Sequence, residues 1–249
     1  MSGHSKWANI KRKKAKVDAV KGTVFSRLTK EIMAAAKRGG GNPDTNFRLR
    51  LAIQKAKDSN LPQSNIDRAI RRATGQEEGV HYEETVYEGY GPGGVAVYLQ
   101  ILTDNRNRTA GEVRHIFSRH GGALGESGCV AWMFEPKGRL TITETDKSEE
   151  ELLDVAIEAG ADDLRQEDDG EFVVLTGPEV LDQVRESFEK QGIKVEDVEL
   201  VHLPKTTTEV TAADAHVLVE LIDLLEDHDD VEKVFFNAEF PENFEVDEA

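Results

Sequence analysis

The N-terminal segment GHSKWANIKRKKAK carries residue types that bind nucleic acid. Its candidate contact residues are Lys6, Trp7, Lys11, Arg12, Lys13, Lys14 and Lys16. Ammonium and guanidinium groups neutralise phosphates, and an indole ring can stack on an exposed base. Basic runs are also common in segments that are merely solvated. Because Trp7 interrupts the run and basic helices follow it, the segment predicts binding to nucleic acid or to a ribosome.

Two further groups of arginines lie on predicted helices. They are Arg68, Arg71 and Arg72 in SNIDRAIRRATG, and Arg106, Arg108 and Arg119 in TDNRNRTAGEVRHIFSRHGG. The start of the second helix also offers free backbone N–H groups to an anion. The alternative for this helix is an ordinary amphipathic element with a solvated basic side. We expect it to form a second nucleic-acid contact.

The charges of the chain are strongly segregated. The protein has 31 Lys and Arg against 48 Asp and Glu, with a formal net charge of −17. Residues 1–75 hold 18 of the basic and only 5 of the acidic residues. Charges are screened beyond about 8 Å at physiological ionic strength, so the acidic remainder does not cancel this basic part unless it folds onto it. A polyanion would therefore meet a locally positive surface.

Residues that could support catalysis or hold a metal lack the spacing for it. Ser127 stands in GESGC rather than in a Gly-x-Ser-x-Gly elbow. The seven histidines show no zinc-site spacing, and Asp227, Asp229 and Asp230 do not follow the calcium-loop pattern. GYGPGG leads into a strand rather than a helix, which favours a turn over a phosphate loop. The sequence predicts a protein that is not an enzyme and needs no cofactor.

Apolar spacing predicts helices in the first third of the chain. The first contains Phe25, Leu28 and Ile32 and stops at GGG; the second starts with Asn42 as its N-cap and Pro43 in its first turn. A third follows LPQSN. We therefore expect a small basic helical domain over residues 1–78, with a flexible N-terminal arm.

Strands alternate with helices from residue 79 onward. The segment at about 80–134 has strands but a single helix, whereas residues 137–203 close by themselves as β-α-β-α-β. The last helix and strand need a sheet to pack on. The fold class predicted is thus a small helical domain followed by two small α+β domains, one inserted in the other. The middle domain comprises residues 79–134 and 206–240, and the acidic inserted domain comprises residues 135–205.

Composition suggests an intracellular location. Cys129 is the lone cysteine, so an internal disulfide is excluded. No apolar run approaches the roughly 20 residues that span a bilayer, and no apolar segment follows the basic arm as in a secretory signal. We expect a cytoplasmic protein with no membrane partner and no small-molecule substrate.

Several ordered motifs resemble the YebC/PmpR family, which includes the mitochondrial translational activator of cytochrome c oxidase. The motifs are GHSKWANIKRKKAKVDAVKG, FRLRLAIQKAKDSNLPQSNIDRAIRRATG, YEGYGPGGVAV, TDNRNRTAGEVRHIFSRHGG and LEDHDDVEKVFFNAEF. The resemblance implies a helical N-terminal domain, two α+β domains and no catalytic site. It also implies either a probable DNA-binding transcriptional regulator or a factor that associates with ribosomes stalled on difficult sequences.

Three functions remain open at this point. The first is a DNA-binding regulator, with helices at 43–59 and 63–73 arranged loosely like a helix-turn-helix. The second is a ribosome-associated, rRNA-binding translation factor, for which a lysine-rich arm with one Trp is well suited. The third, a pure protein-interaction module, leaves the basic N-terminal part without a role. We favour a nucleic-acid-binding regulator of gene expression, in the first place a DNA-binding transcriptional regulator, with the ribosome-associated factor as the alternative. The expected partner is DNA or, under the alternative, ribosomal RNA and the ribosome.

Deleting residues 2–16 should weaken nucleic-acid binding and flatten its salt dependence. With about six phosphate contacts, log K should fall against log salt with a slope of roughly −5 for duplex DNA. The measurement is a titration of labelled duplex at several salt concentrations with the full chain and the deletion variant. An unchanged slope would show that the arm makes no phosphate contacts.

Overall fold

The computed structural model describes residues 21–75, 83–143, 145–167, 170–241 and 244, without the side chains of residues 21–24, 26 and 27. The predicted contact residues of the arm, from Lys6 to Lys16, lie outside this part of the chain. The helices are α1 (Lys21–Gly39), α2 (Phe47–Asp58), α3 (Gln63–Ala73), α4 (Arg106–Arg119), α5 (Glu149–Ala159), α6 (Leu181–Lys190) and α7 (Ala212–Asp227). The strands are β1 (Glu83–Tyr90), β2 (Ala96–Thr103), β3 (Ala123–Leu124), β4 (Phe134–Ile142), β5 (Asp163–Gln166), β6 (Phe172–Thr176), β7 (Asp197–Pro204), β8 (Thr208–Glu209), β9 (Val231–Phe236) and β10 (Ala238–Glu239).

The chain divides into two compact units. One contains Phe134–Lys205, and the other contains the described residues before and after it. The predicted fold class is confirmed: a helical N-terminal part precedes an α+β region with two antiparallel four-stranded sheets. The boundaries 1–78, 79–134 with 206–240, and 135–205 stay a prediction. None of the described helices is long and apolar enough to cross a membrane.

α1, α2 and α3 share one apolar core, and both α2 and α3 pack on α1. Its members include Leu28, Ile32, Ala35, Leu49, Ala52, Ala56, Ile66 and Ala69. Small residues line α1 and α2, so the helices approach closely. The outward surface of α3 is left to its charged residues.

The predicted start of α2 is wrong by one turn. Asn46, not Asn42, is the N-cap, and its side chain accepts a hydrogen bond from the backbone N–H of Leu49 at 3.1 Å. Asn42 instead accepts from the backbone N–H of Asp44 at 2.9 Å. Residues 43–45 therefore form a turn before the helix, with Pro43 in that turn.

Asn46 is the N-cap of α2 because its side chain forms hydrogen bonds with two helices at once. Its amide nitrogen donates to the carbonyl oxygens of Ala35 and Gly40, each at 2.8 Å, at the end of α1. A Cβ at Gly39 would lie 2.6 Å from that amide nitrogen, so the glycine run leaves room for it. A sequence motif for one helix start cannot reveal this link to the end of another helix.

The sheet of the second unit has the strand order β3-β1-β2-β9, all antiparallel. β9 pairs with β2 from the register Val97↔Phe236 onward, so the end of the chain completes the sheet that β1 and β2 begin. α4 contacts β3, and α7 contacts both β9 and α4. GYGPGG forms the predicted turn between β1 and β2.

The unit at Phe134–Lys205 has a sheet of order β5-β6-β4-β7 with α5 and α6. The predicted β-α-β-α-β pattern missed β5, the edge strand DLRQ, in which Leu164 alone is buried. A four-residue strand with one apolar side chain carries little alternation for a sequence pattern to detect. Backbone pairing with β6, rather than side-chain packing, keeps β5 in the sheet.

Glu232 on β9 is a carboxylate without adequate solvation. Its Oε1 atom is buried, and no described residue donates a hydrogen bond to it. Burial, together with the charges of Glu31 and Glu84, raises the pKa of this carboxyl to about 7 against the opposing charges of Arg48 and Lys233. α1, α2 and the sheet thus meet around one group that holds a proton near neutral pH.

Because the folded protein binds this proton more tightly than the unfolded chain does, its stability should fall as pH rises from about 4.5 to about 7. Glu232→Gln should remove this loss. The free energy of unfolding of this variant should exceed that of the wild type by about 3 kcal/mol at pH 8, and by less than about 1 kcal/mol at pH 5. Urea denaturation at both pH values gives the difference.

Glu220→Gln is the matched control for this measurement. Glu220 is exposed on α7, so the same change of charge there should leave stability nearly constant at both pH values. An advantage of Glu232→Gln that is equal at pH 5 and pH 8 would contradict the assignment of the proton to Glu232.

Candidate nucleic-acid interface

Arg68, Arg71 and Arg72 lie on the exposed side of α3, as predicted from the sequence. The opposite side of the helix buries Ile66 and Ala69 in the helical core. Arg68 lies at the middle of the helix, and Arg71 and Arg72 lie in its last turn. They form a basic surface within the part of the chain that has a positive charge balance.

The first turn of α4 holds its arginines with acidic partners. Arg106 lies 3.9 Å from Glu83 and donates a hydrogen bond to the hydroxyl of Thr85 at 3.1 Å. The hydroxyl of Tyr87 in turn donates to the carbonyl oxygen of Arg106 at 2.9 Å. Asn105 caps the helix through the N–H of Arg108 at 3.1 Å. This end of α4 is therefore fastened to β1.

Arg108 is bound to a buried carboxylate. Its Nη2 atom lies 2.6 Å from Oδ2 of Asp230 and 2.8 Å from Oδ1 of Asp104. These hydrogen bonds raise the pKa of Arg108 still further above its ordinary value. A phosphate contact by Arg108 stays a prediction, and the structure gives its guanidinium a partner within the protein.

Asp230 connects three elements through its side chain. Burial would raise the pKa of its carboxyl, but hydrogen bonds from Arg108, Thr109 and Lys30 outweigh burial and lower it to about 2. The side chain of Lys30 on α1 approaches Oδ1 at 3.0 Å, and the hydroxyl of Thr109 on α4 donates to Oδ2 at 2.8 Å. From the sequence, Asp230 could only be excluded from a calcium loop, because partners so distant in sequence leave no local pattern.

The second half of α4 has a different environment. Arg114, His115 and Arg119 are exposed, and within the described residues neither Arg114 nor Arg119 has an ion pair. Arg119 is a predicted contact residue, whereas Arg114 is not. Of the arginines in α4, these two are the ones without an acidic partner among the described residues.

Glu112, His228 and Asp230 could be taken for a metal site because their potential ligand atoms lie within 4.8 Å of one another. The hydrogen bonds argue against this. The backbone N–H of Asp230 donates to Nδ1 of His228 at 3.1 Å, so the neutral ring carries its proton on Nε2, which faces Glu112 at 3.0 Å. A protonated nitrogen cannot bind a metal, and Asp230 already has two cationic partners. The three residues form a hydrogen-bonded chain.

Glu88 on β1 organises the loop that contains Cys129. Its buried carboxylate accepts hydrogen bonds from the backbone N–H groups of Gly128, Val130 and Ala131 at 2.7, 2.8 and 2.7 Å. Burial raises the pKa of the Cys129 thiol, and the nearby charge of Glu88 raises it further. The loop is thus held rigid around a thiol kept in its poorly nucleophilic, protonated form.

Two family models match the chain. The "TACO1/YebC protein N-terminal domain" matches residues 5–76, and the "TACO1/YebC second and third domain" matches residues 82–238. The chain belongs to the TACO1/YebC family. The family resemblance drawn from the sequence motifs is confirmed.

Similar proteins match nearly the whole chain in sequence or in structure. A protein of Pelotomaculum thermopropionicum is 53% identical over 241 residues, which cover 96% of this chain and 99% of the relative. One of Desulfitobacterium hafniense is 53% identical over 251 residues, covering 100% and 99%. Both are named "Probable transcriptional regulatory protein". The crystal structure of a conserved hypothetical protein from Aquifex aeolicus has a TM-score of 0.84 and 46% identity, covering 92% of this chain and 94% of its own.

In this TACO1/YebC protein, Asp230→Asn should destabilise the fold. The amide carries no charge to balance Lys30 and Arg108, and breaking such a buried pair costs on the order of 3 kcal/mol. The pKa of Asp230 is lowered, so its contribution is complete above about pH 3.8 and is lost only as pH falls toward 2. Urea denaturation should therefore show the same destabilisation at pH 5 and pH 7.

Asp229→Asn makes the same change of charge at the neighbouring exposed position and is the control. It should leave stability within about 0.5 kcal/mol of the wild type. Equal effects of the two variants would mean that the ion pairs of Asp230 contribute nothing specific.

Proposed function

We propose that this protein is a non-enzymatic, nucleic-acid-binding regulator of gene expression, and in the first place a DNA-binding transcriptional regulator. The main support is the exposed triplet Arg68, Arg71 and Arg72 on α3, which continues the basic character of the N-terminal part of the chain. The names of the relatives, probable transcriptional regulatory proteins, support the same role.

The protein's own arrangement favours binding over chemistry. The Cys129 thiol has a raised pKa. The cluster of Glu112, His228 and Asp230 is closed by its own hydrogen bonds. The acidic remainder of the chain would be repelled by phosphates, so a nucleic acid would be confined to the basic surfaces.

Ribosome association is the second candidate, and the position of the arginines on α3 favours it. In a helix-turn-helix the N-terminal residues of the second helix contact base edges. Here the first turn of α3 carries Gln63 and Ser64, and the arginines follow at the middle and in the last turn. Such a helix suits phosphate contacts better than base recognition, and RNA is recognised largely through its shape and backbone. In this form the protein would be an rRNA-binding factor for stalled or difficult translation.

Sedimentation with purified ribosomes in the presence of excess mixed-sequence duplex DNA separates the two candidates. A ribosome-associated factor should pellet with ribosomes despite the DNA, because its contacts include more than charge. A DNA-binding regulator should be removed by the duplex. No binding to either polyanion at low salt would refute the proposed function.

Replacing Arg68, Arg71 and Arg72 together with Ala should weaken binding and lower the salt slope by roughly 3. The matched control replaces Lys190, Lys194 and Lys205, three exposed lysines in the acidic part of the chain. Equal losses for both triple variants would show that binding depends on net charge alone and not on α3.

A further inference from the structure

α4 has a glycine at the centre of its exposed face. Gly111 lies in the middle of the helix, and a Cβ added there would meet no atom within 4 Å. A glycine inside a helix destabilises it by about 0.5–1 kcal/mol relative to alanine. Nothing in the described structure requires glycine at this position, since neither a positive φ nor a close packing neighbour is present.

Basic residues follow this glycine on the same face. Arg114 and His115 lie one helical turn beyond Gly111, and Arg119 lies one turn beyond His115, by the three- and four-residue spacing of a helix. The neighbouring acid, Glu112, lies 3.0 Å from His228, and no ion pair joins it to Arg114 or Arg119 among the described residues. Arg114 and Arg119 are left without acidic partners among the described residues, although residues 76–249 are strongly acidic overall.

The two halves of α4 therefore have different roles. The arginines of the first turn form ion pairs with Glu83, Asp104 and Asp230. The second half presents two arginines, a histidine and a shallow point where no side chain keeps a ligand away.

We propose that the face of α4 formed by Gly111, Arg114, His115 and Arg119 binds the sugar-phosphate backbone of a nucleic acid, with Gly111 as the point of closest approach. This inference rests on the proposed function and adds the surface and the mode of contact. A backbone strand can approach a helix most closely where side chains are short. Flanking guanidinium groups then reach its phosphates as multiple hydrogen-bond donors.

Gly111→Ala should change stability and affinity in opposite directions. Alanine favours the helix, so the melting temperature should rise. The added methyl group should weaken binding roughly tenfold, as expected when an extra group is forced into a close contact. The probes are a labelled mixed-sequence DNA duplex and purified ribosomal RNA, and the probe that loses affinity identifies the nucleic acid that α4 contacts.

Val217→Ala is the control for a general effect of helix stabilisation. Val217 is exposed on α7, where alanine also has the higher helix propensity. This variant should bind both probes as the wild type does. A loss of affinity equal to that of Gly111→Ala would overturn the close-contact interpretation.

Replacing Arg114 and Arg119 with Gln tests the phosphate contacts separately. The salt slope on the sensitive probe should fall by roughly 2. If the wild type binds a probe while Gly111→Ala and the double variant bind it equally well, the proposal for α4 is wrong although the proposed function stands. If the double variant alone loses affinity, the arginines act without close approach, and the role of Gly111 is refuted. If the wild type binds neither probe, the proposed function fails and the α4 proposal with it.

Discussion

The hydrogen bonds and ion pairs to the carboxylate of Asp230 are the interactions that join the elements of the unit outside Phe134–Lys205. It receives Lys30 from α1, Arg108 and Thr109 from α4, and the hydroxyl of Thr103 at the end of β2. The carbonyl oxygen of the same residue accepts the backbone N–H of Leu102 at 2.9 Å, immediately before β9 joins the sheet. One residue thus fixes where α1 meets the sheet, where α4 starts and where the returning strand begins. A buried anion with several donors is stable only when all of them are in place, which makes this arrangement specific.

Glu232 lies two residues farther along and faces the opposite situation. Lys30 and Glu31 are neighbours on α1; the first pairs with Asp230, and the second repels Glu232. The pKa of one acid is lowered and that of the other is raised, within a single turn of helix and one repeat of a strand. The ion pair between Lys30 and Asp230 therefore holds α1 on the sheet, and its strength does not change with pH near neutrality. The repulsion between Glu31 and Glu232 weakens the same contact, and it grows as Glu232 loses its proton. Ionisation of Glu232 lowers the stability of the fold, and the attraction between Lys30 and Asp230 opposes this loss.

The sequence could predict what depends on local spacing. Helical periodicity located α1, α3 and α4, and the incomplete middle segment indicated that a late helix and strand belong to its sheet. Prediction from the sequence failed where a side chain contacts an element that is distant along the chain. Asn46 was missed as a cap because its amide also serves the end of α1, and Asp230 was missed because its partners are up to 200 positions away. The edge strand β5 was missed because its hydrogen bonds, not its side chains, keep it in the sheet.

The arginines of α4 show why residue type alone does not identify a binding site. From the sequence, Arg106, Arg108 and Arg119 are equivalent basic residues on one helix. In the fold, the first two have acidic partners on β1 and at the start of β9, and loss of Arg108 would leave the buried Asp230 without one of its two cations. Arg119 has no such partner among the described residues, and Arg114, which the sequence analysis passed over, resembles it in this respect. The partners contributed by other elements therefore divide the arginines into those that hold the fold and those available to a polyanion. An alanine scan scored by binding alone would confuse the two groups, because loss of Arg108 lowers the population of the folded protein that any ligand requires.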